Sequence, residues 1–236
     1  MKKISKNILF FIPSYNDTKN AFVIAHSIKK IFPKSEVLVI DDGSNEVFFP
    51  KKGDQFKFFS TGINFGLGVC THIAIDFMLN NKFDILVRLD ADGQHPIREI
   101  GRLVKPILNE QSDYSVGIRM NHYSVKKFLI RDLIKKYYNF VARIISNNKV
   151  PSDVNSGFFA INRMCAESIN NLQLERYPEP ETYIHLSRQG FILSENKIVQ
   201  NKRNHNKSTL NFFNGLRMFY KFNIVMIYEI FRSKKI

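Results

Sequence analysis

The sequence predicts an α/β domain built on a largely parallel β-sheet. Three observations carry that expectation. Short apolar runs alternate with helix-like segments through the first half of the chain. Two of those runs stop at acidic turns, Asp41-Asp42-Gly43-Ser44 and Asp90-Ala91-Asp92-Gly93. No linker, low-complexity tract or internal repeat divides the chain. Strands that alternate with helices form parallel sheets, because each helix carries the chain back to the same edge.

Ile8 to Ile12 is apolar at every position, as in a strand buried on both faces, and Pro13 ends it. Thr18 can cap a helix running to about Phe32. Glu36–Ile40 and Phe56–Ser60 are the second and third strands, and a helix over about Gly68–Leu79 follows. Phe83–Leu89 is the fourth strand. Pro96 suits the first turn of the next helix, where its missing N–H is not needed. Ser112–Gly117 is the fifth strand. The second half is less regular: a basic, aromatic helix over about Val125–Ser146, a strand over 156–161, a helix around Glu181–Arg188, a strand over Phe191–Ile198 and a helical tail over Thr209–Arg232.

With 236 residues the chain has room for one sizeable domain and not two. Lys and Arg total 35 against 21 Asp and Glu, a formal net charge of +14. Such a surface is drawn to nucleic acid, acidic lipid or phosphorylated substrates. Cys70 and Cys165 lack metal-ligand spacing and sit in apolar helical stretches, so buried free thiols in a reducing, cytoplasmic setting are expected. The N-terminal apolar run is too short for a signal peptide, and no stretch reaches the roughly 18 apolar residues of a spanning helix. The expectation is a soluble or peripheral protein.

In open α/β sheets, ligands sit at the carboxyl ends of the strands. Read there, the chain offers Asp17, Asp41, Asp42, Asp90 and Asp92 on one edge of a basic protein. Carboxylates crowded together need a positive partner, and a divalent cation supplies one. Strand alternation would aim Asp90, Asp92 and Gln94 the same way, and their hard oxygen atoms suit Mg²⁺ or Mn²⁺ with phosphates completing the shell. The bland reading is a polar turn that caps a helix. Asp41 and Asp42 can accept from a ribose hydroxyl or a base N–H, or can simply form an ordinary turn. Gly62 to Gly68 precedes a helix, where Asn64 and Gly66 can admit a phosphate or base. It follows the third strand and is not G-x-G-x-x-G, which disfavours a dinucleotide oxidoreductase. His95 stands beside the D-x-D, and the other histidines show no ligand spacing.

These pieces, in this order, resemble the family 2 glycosyltransferases of GT-A fold, in the branch of dolichyl-phosphate mannose synthases and bacterial polyprenyl-phosphate glycosyltransferases. The resemblance runs from Ile8 to about Ser208. It rests on Pro13-x-Tyr15-Asn16, Asp41-Asp42-Gly43-Ser44, Asn64-x-Gly66-x-Gly68, Asp90-Ala-Asp92-Gly-Gln94-His95, Gly117-x-Arg119, Asp153-x-x-Ser156-Gly157-Phe158, Tyr177-Pro178-Glu179-x-Glu181 and Arg203-x-x-x-Lys207-Ser208. It implies a Rossmann-like nucleotide-binding half over 1–120, an acceptor half over 121–208, and a basic-aromatic helix over 209–236.

By that resemblance, Pro13, Tyr15, Asp17 and Asp41 line the nucleotide pocket, and Asp90, Asp92 and Gln94 hold the metal on the diphosphate. Arg119 and Arg131 look like the family's arginines facing donor and acceptor phosphates, and Ser156 and Arg203 fall in its phosphate and acceptor motifs. Glu179 is the first candidate for general base and Asp153 the second. The chain departs from the family pattern in carrying Asp17 where Glu is usual and one Arg after Gly117 where a basic pair is usual.

The implied reaction is an inverting single displacement. It passes a sugar from a UDP-, GDP- or dTDP-sugar to a lipid-linked or glycan acceptor, as in cell-surface polysaccharide or polyprenyl-phosphate sugar synthesis. The basic-aromatic segments, with Lys126, Lys127, Arg131, Lys135, Lys136 and Arg143 beside Phe128, Tyr137, Tyr138 and Phe140, suit an anionic surface at the cytoplasmic face of a membrane. Two other readings are weaker. A haloacid-dehalogenase-like phosphatase would start D-x-D-G on its first strand and continue with Thr, whereas here Gln94 follows on a fourth strand. A nucleic-acid-binding module has charge in its favour but no recognisable motif, and the acids on the ligand edge would repel a phosphate backbone.

Overall fold

The computed structural model describes residues 6–120, 129–172, 174 and 178–201, together with 219, 220, 223, 224, 226–228 and 231 in the tail; for 129–135 it describes the backbone alone. Seven strands form one sheet: β1 (Ile8–Ser14), β2 (Glu36–Asp41), β3 (Lys57–Ser60), β4 (Ile85–Arg88), β5 (Tyr114–Arg119), β6 (Phe159–Asn162) and β7 (Leu193–Ile198). The helices are α1 (Thr18–Ile31), α2 (Leu67–Asn80), α3 (Ile100–Leu108), α4 (Leu129–Ile145), α5 (Arg163–Asn170) and α6 (Glu179–Arg188).

The strand order is β3-β2-β1-β4-β6-β5-β7. The pairings of β1, β2, β3 and β4 are parallel, as is that of β5 with β7, while β6 runs antiparallel between β4 and β5. The chain builds outward from β1 to β3, then crosses back to place β4 on the other side of β1. That reversal opens a crevice at the carboxyl ends of β1 and β4, the place where such sheets bind ligands. Register brings Ser14 opposite Asp41, so both strands deliver their last residues to one edge.

Each face of the sheet has its own core. Leu9 and Phe11 of β1 pack with α2, α5 and α6 residues such as Ala74, Met78, Ala166 and Ile184. Phe10 and Ile12 point the other way, to Ala21, Ala25 and Ile28 of α1 and Leu103 and Ile107 of α3. The unbroken apolar run of β1 is therefore what a strand covered on both faces requires. Truncating Phe10 or Phe11, both fully buried, to Ala would cost about 3–5 kcal/mol. The helices follow the same logic: Ala21, Ala25 and Ile28 recur at helical spacing on α1, and Ile100, Leu103, Val104 and Ile107 on α3.

The expected strands of the first half all occur, and β1 extends two residues further, through Pro13 to Ser14. Pro96 lies one residue earlier than expected, capping a short 3₁₀ turn at Ile97–Glu99 ahead of α3. The expected strand at 156–161 begins only at Phe159; just before it, Gly157 lies against a buried arginine described below. Of the expected 125–146 helix, 125–128 lie outside the described residues, and α4 covers the rest to Ile145. Within it Tyr138 is buried, with Tyr137 packed partly against the same core. In the tail, the described positions are helical, with Met226 buried and Phe219 against Tyr137 at 5.1 Å between ring centroids.

Candidate active site

The crevice at the switch point is built from three loops. The first leaves β1 through Tyr15, which is exposed, and Asn16, whose φ of 56° turns the chain sharply into α1. The Ser44 hydroxyl accepts the Asn16 N–H at 2.7 Å, and the Asn16 side chain accepts the Asn45 N–H at 2.8 Å. Asp17 accepts from the Asn20 amide at 2.6 Å. Between these residues and Lys19, Glu46 and Phe48 lies an open cavity of about 430 Å³.

The second loop, after β2, carries Asp41 and Asp42. Asp41 is fully buried, and its carboxylate accepts from the hydroxyls of Ser44 and Ser60, the latter at 2.9 Å. Asp42 accepts the N–H groups of Phe65 and Gly66 at 2.9 Å each. Both acids therefore hold the protein's own loops together. Gly43 is where the two loops touch: at φ +66°, a Cβ there would lie 2.2 Å from the Ile63 carbonyl carbon and 2.6 Å from the Asn64 nitrogen. Asn64 and Gly66 thus belong to a loop that Asp42 fixes.

The third loop is the D-x-D turn. β4 ends at Arg88 and residues 91–93 form a turn, so Asp90 and Asp92 stand past the strand's end and strand alternation does not set where they point. Gly93 takes φ 74° inside it. Asp92 accepts the Gln94 N–H at 3.0 Å, and the Asp90 N–H donates to Nδ1 of His95 at 2.9 Å. His95 is buried and stacked on Phe158 at 4.8 Å. Burial pushes its imidazole below the usual value against the pull of Asp90, and a neutral ring is what an accepting Nδ1 requires.

Arg88 dominates the electrostatics. Its Nε and Nη2 donate to Asp90 Oδ1 at 3.2 and 2.8 Å, and its Nη1 donates to Glu179 Oε1 at 2.6 Å. Burial alone would raise Asp90, but Arg88, with His95 and Arg119 behind it, holds the carboxyl down to about 2. The motif reading overlooked Arg88. Its signal was present: a lone charge inside the buried run Ile85–Leu89 needs a partner.

Arg119, at the end of β5, has its Nε 3.7 Å from Asp153 Oδ2, and that buried nitrogen has no hydrogen-bond partner. Ser156 is buried, and its hydroxyl donates to the Gly117 carbonyl at 2.6 Å, which anchors its loop to the end of β5. Arg131 lies on α4 with its side chain outside the described residues, and so does Arg203 entirely. Pro13 sits half-buried at the end of β1.

Asp90, Asp92 and Gln94 offer two carboxylates and an amide oxygen from one turn, the hard donor set that suits Mg²⁺ or Mn²⁺. Among the described residues no three of His, Cys, Asp and Glu form a metal cluster by themselves.

A doubly wound sheet with an acidic crevice at its switch point defines a nucleotide-binding α/β enzyme. Residues 10–169 match the family model described as "Glycosyl transferase family 2", and the chain belongs to that family: it is a glycosyltransferase. It is 26% identical over 176 residues to a polyprenol monophosphomannose synthase of Mycolicibacterium smegmatis, covering 70% of this chain and 65% of the relative. It is 25% identical over 195 residues to a UDP-N-acetylglucosamine–dolichyl-phosphate N-acetylglucosaminyltransferase of Methanococcus voltae, covering 73% and 76%. Its fold matches glucosyl-3-phosphoglycerate synthase of Mycobacterium tuberculosis, solved with Mn²⁺, UDP-glucose and phosphoglyceric acid, at TM-score 0.71 and 16% identity over 99% of this chain and 82% of that one.

Proposed function

We propose that this glycosyltransferase moves a sugar from a nucleoside-diphosphate sugar to a lipid-linked acceptor of the polyprenyl-phosphate type, at a membrane surface, with Mn²⁺ or Mg²⁺ on Asp90, Asp92 and Gln94. The observation that carries the reading is the donor set of the 90–94 turn at the switch point, beside an arginine with an unmatched buried nitrogen. Both relatives are named for polyprenyl- or dolichyl-phosphate acceptors, and the matched structure holds Mn²⁺ with UDP-glucose.

In this reading the nucleoside sits against Pro13, Tyr15 and Asp17 at the end of β1, where Asp17 also lines the neighbouring cavity. The diphosphate lies over the D-x-D turn and takes the free donor of Arg119. A divalent ion supplies positive charge to the departing nucleoside diphosphate. The sugar is attacked from the face opposite its leaving group, so the anomeric centre inverts. A phosphate acceptor is already mostly ionised near neutral pH and needs no base. A hydroxyl or glycan acceptor would need one, and Asp153, half-buried beside Arg119, is better placed for that than Glu179, which is committed to Arg88.

The membrane surface draws support from exposed apolar side chains on α4 and the tail: Phe140 and Ile144, then Tyr220, Ile224, Ile227, Tyr228 and Phe231. No helix among the described residues is long and apolar enough to cross a membrane; in this reading the exposed apolar side chains meet the membrane at its surface, on the cytoplasmic face.

The test is calorimetric binding of UDP-, GDP- and dTDP-sugars with Mn²⁺ and with EDTA. Metal-dependent binding of one nucleotide class, lost in Asp92→Ala, is expected. No binding of any nucleotide sugar under either condition would overturn the reading, as would a transfer product of retained configuration.

A further inference from the structure

Arg88 is 3% exposed, and its charge is held between two carboxylates. A buried guanidinium is tolerated only when its charge and donors are matched. Two donors go to one oxygen of Asp90, the third to Glu179, and the guanidinium carbon lies 5.7 Å from the centre of the Phe159 ring. Gly157 leaves the room: a Cβ there would stand 2.5 Å from Nη2. Glu179 opens α6, so Arg88 ties the start of that helix to the D-x-D turn.

We propose that Arg88 and Glu179 are positioning residues for the metal carboxylate, with Glu179 setting how much of the Arg88 charge falls on Asp90. Arg88 pins Oδ1 of Asp90, so Oδ2, which lies 3.7 Å from His95 Nε2, is the oxygen turned to the ion. With Glu179 ionised, the buried positive charge is shared between two carboxylates and Asp90 keeps negative charge for a cation. Without the Glu179 charge, the full cation bears on Asp90 and competes with the metal. Glu179 then acts through Arg88 and takes no proton from an acceptor.

This inference rests on the metal-and-nucleotide reading above, and its test separates the two. MnCl₂ is titrated into the intact chain, with free Mn²⁺ followed by electron paramagnetic resonance, alone and with whichever nucleoside diphosphate the wild type binds. Wild-type protein that takes up no Mn²⁺ with any nucleotide defeats the parent reading. If the wild type does bind, Glu179→Gln is expected to weaken Mn²⁺ uptake about 10- to 100-fold, the range for partners one shell out from a metal. The double variant Arg88→Met, Glu179→Gln removes both charges and leaves Asp90 unopposed, so it should regain much of the lost affinity. Wild-type Mn²⁺ affinity in Glu179→Gln with kcat abolished would overturn the proposal and make Glu179 the base. So would a double variant that folds, by thermal denaturation, yet binds Mn²⁺ no better than the single one. If Glu179→Gln does not fold, Glu179→Leu, which removes the same charge, takes its place in the comparison with the double variant.

Discussion

Gly157 lies so close to Arg88 that a Cβ on it would stand 2.5 Å from Nη2 and 2.9 Å from Cζ. An arginine tip in water would step aside at little cost. This one is held by two carboxylates, so moving it means loosening Asp90 or Glu179. Gly157→Ala is therefore expected to cost about 1–3 kcal/mol in urea denaturation, as overpacking does. It should also weaken Mn²⁺-dependent nucleotide binding. Unchanged metal and nucleotide affinity in a folded Gly157→Ala would show that Arg88 can shift without disturbing the turn.

The contact between the loops after β2 and β3 makes a second prediction. Gly43 combines φ +66° with backbone of Ile63 inside contact distance. Gly43→Ala carries a backbone penalty of about 1–3 kcal/mol before the clash is counted. Asp42→Ala leaves the buried Gly66 N–H, and with it that of Phe65, without the carboxylate that accepts them, at a cost of about 1–3 kcal/mol. Both losses should appear as a lowered urea midpoint. If Asp42 instead served chiefly to bind ribose, Asp42→Ala would spare the midpoint and spoil only donor affinity.

These residues mark how far the sequence could be read. The apolar runs at Ile8–Ile12 and Ile85–Leu89 announce buried strands, since few other structures hide both faces of a short segment. The acidic turns that follow announce the ligand edge. A carboxylate at a strand end looks the same in sequence whether it faces a ligand or a neighbouring loop, so the bonds of Asp41 to Ser44 and Ser60 and of Asp42 to the 65–66 backbone show only in the structure. The place of β6 was equally hidden. Phe159–Asn162 is a strand by composition, but its antiparallel insertion between β4 and β5 depends on partners more than 40 residues away. Arg88 declared itself only as an anomaly, a charge in a buried strand, and its two partners come from separate elements.

Arg119 should behave as a ligand residue and not as a structural one. It is partly exposed, and its Nε makes no hydrogen bond within the described protein. Charge-assisted hydrogen bonds contribute about 1.5–3 kcal/mol. Arg119→Gln is thus expected to weaken nucleoside-diphosphate binding by calorimetry about 10- to 100-fold while leaving the melting temperature nearly unchanged. A melting temperature that falls while affinity holds would assign it to the fold through Asp153.

The two thiols should be silent in the native protein. Burial pushes Cys70 up to about 12, with Asp42 adding to the rise, and burial raises Cys165 well above its ordinary value. Thiolate is the reactive form, and a raised pKa keeps both groups protonated at pH 8. A chromogenic disulfide reagent should therefore find neither cysteine in folded protein and both in guanidinium chloride. Rapid reaction of Cys70 in buffer would mean that the α2 face opens readily.

The tail offers the sharpest test of the membrane surface. Its described helical positions divide by side: Met226 is buried and Phe219 packs on Tyr137, whereas Tyr220, Ile224, Ile227, Tyr228 and Phe231 are exposed. The exposed set recurs at spacings of three and four, which places it on one stripe of the helix. A helix that is apolar on two sides has one side for the protein and one left over. The chain's charge of +14 adds attraction to an acidic bilayer that salt should screen. Cosedimentation with phosphatidylglycerol vesicles is expected at low salt and should weaken as salt rises. Fully burying an Ile or Phe side chain contributes about 1.5–3 kcal/mol, and an interfacial residue only part of that. Ile227→Ser and Phe231→Ser should each loosen vesicle binding about tenfold, with the melting temperature unmoved because both side chains face solvent in the free protein. Binding that responds to salt but ignores both substitutions would leave the lysines and arginines as the whole of the membrane contact, and the apolar stripe would need another partner.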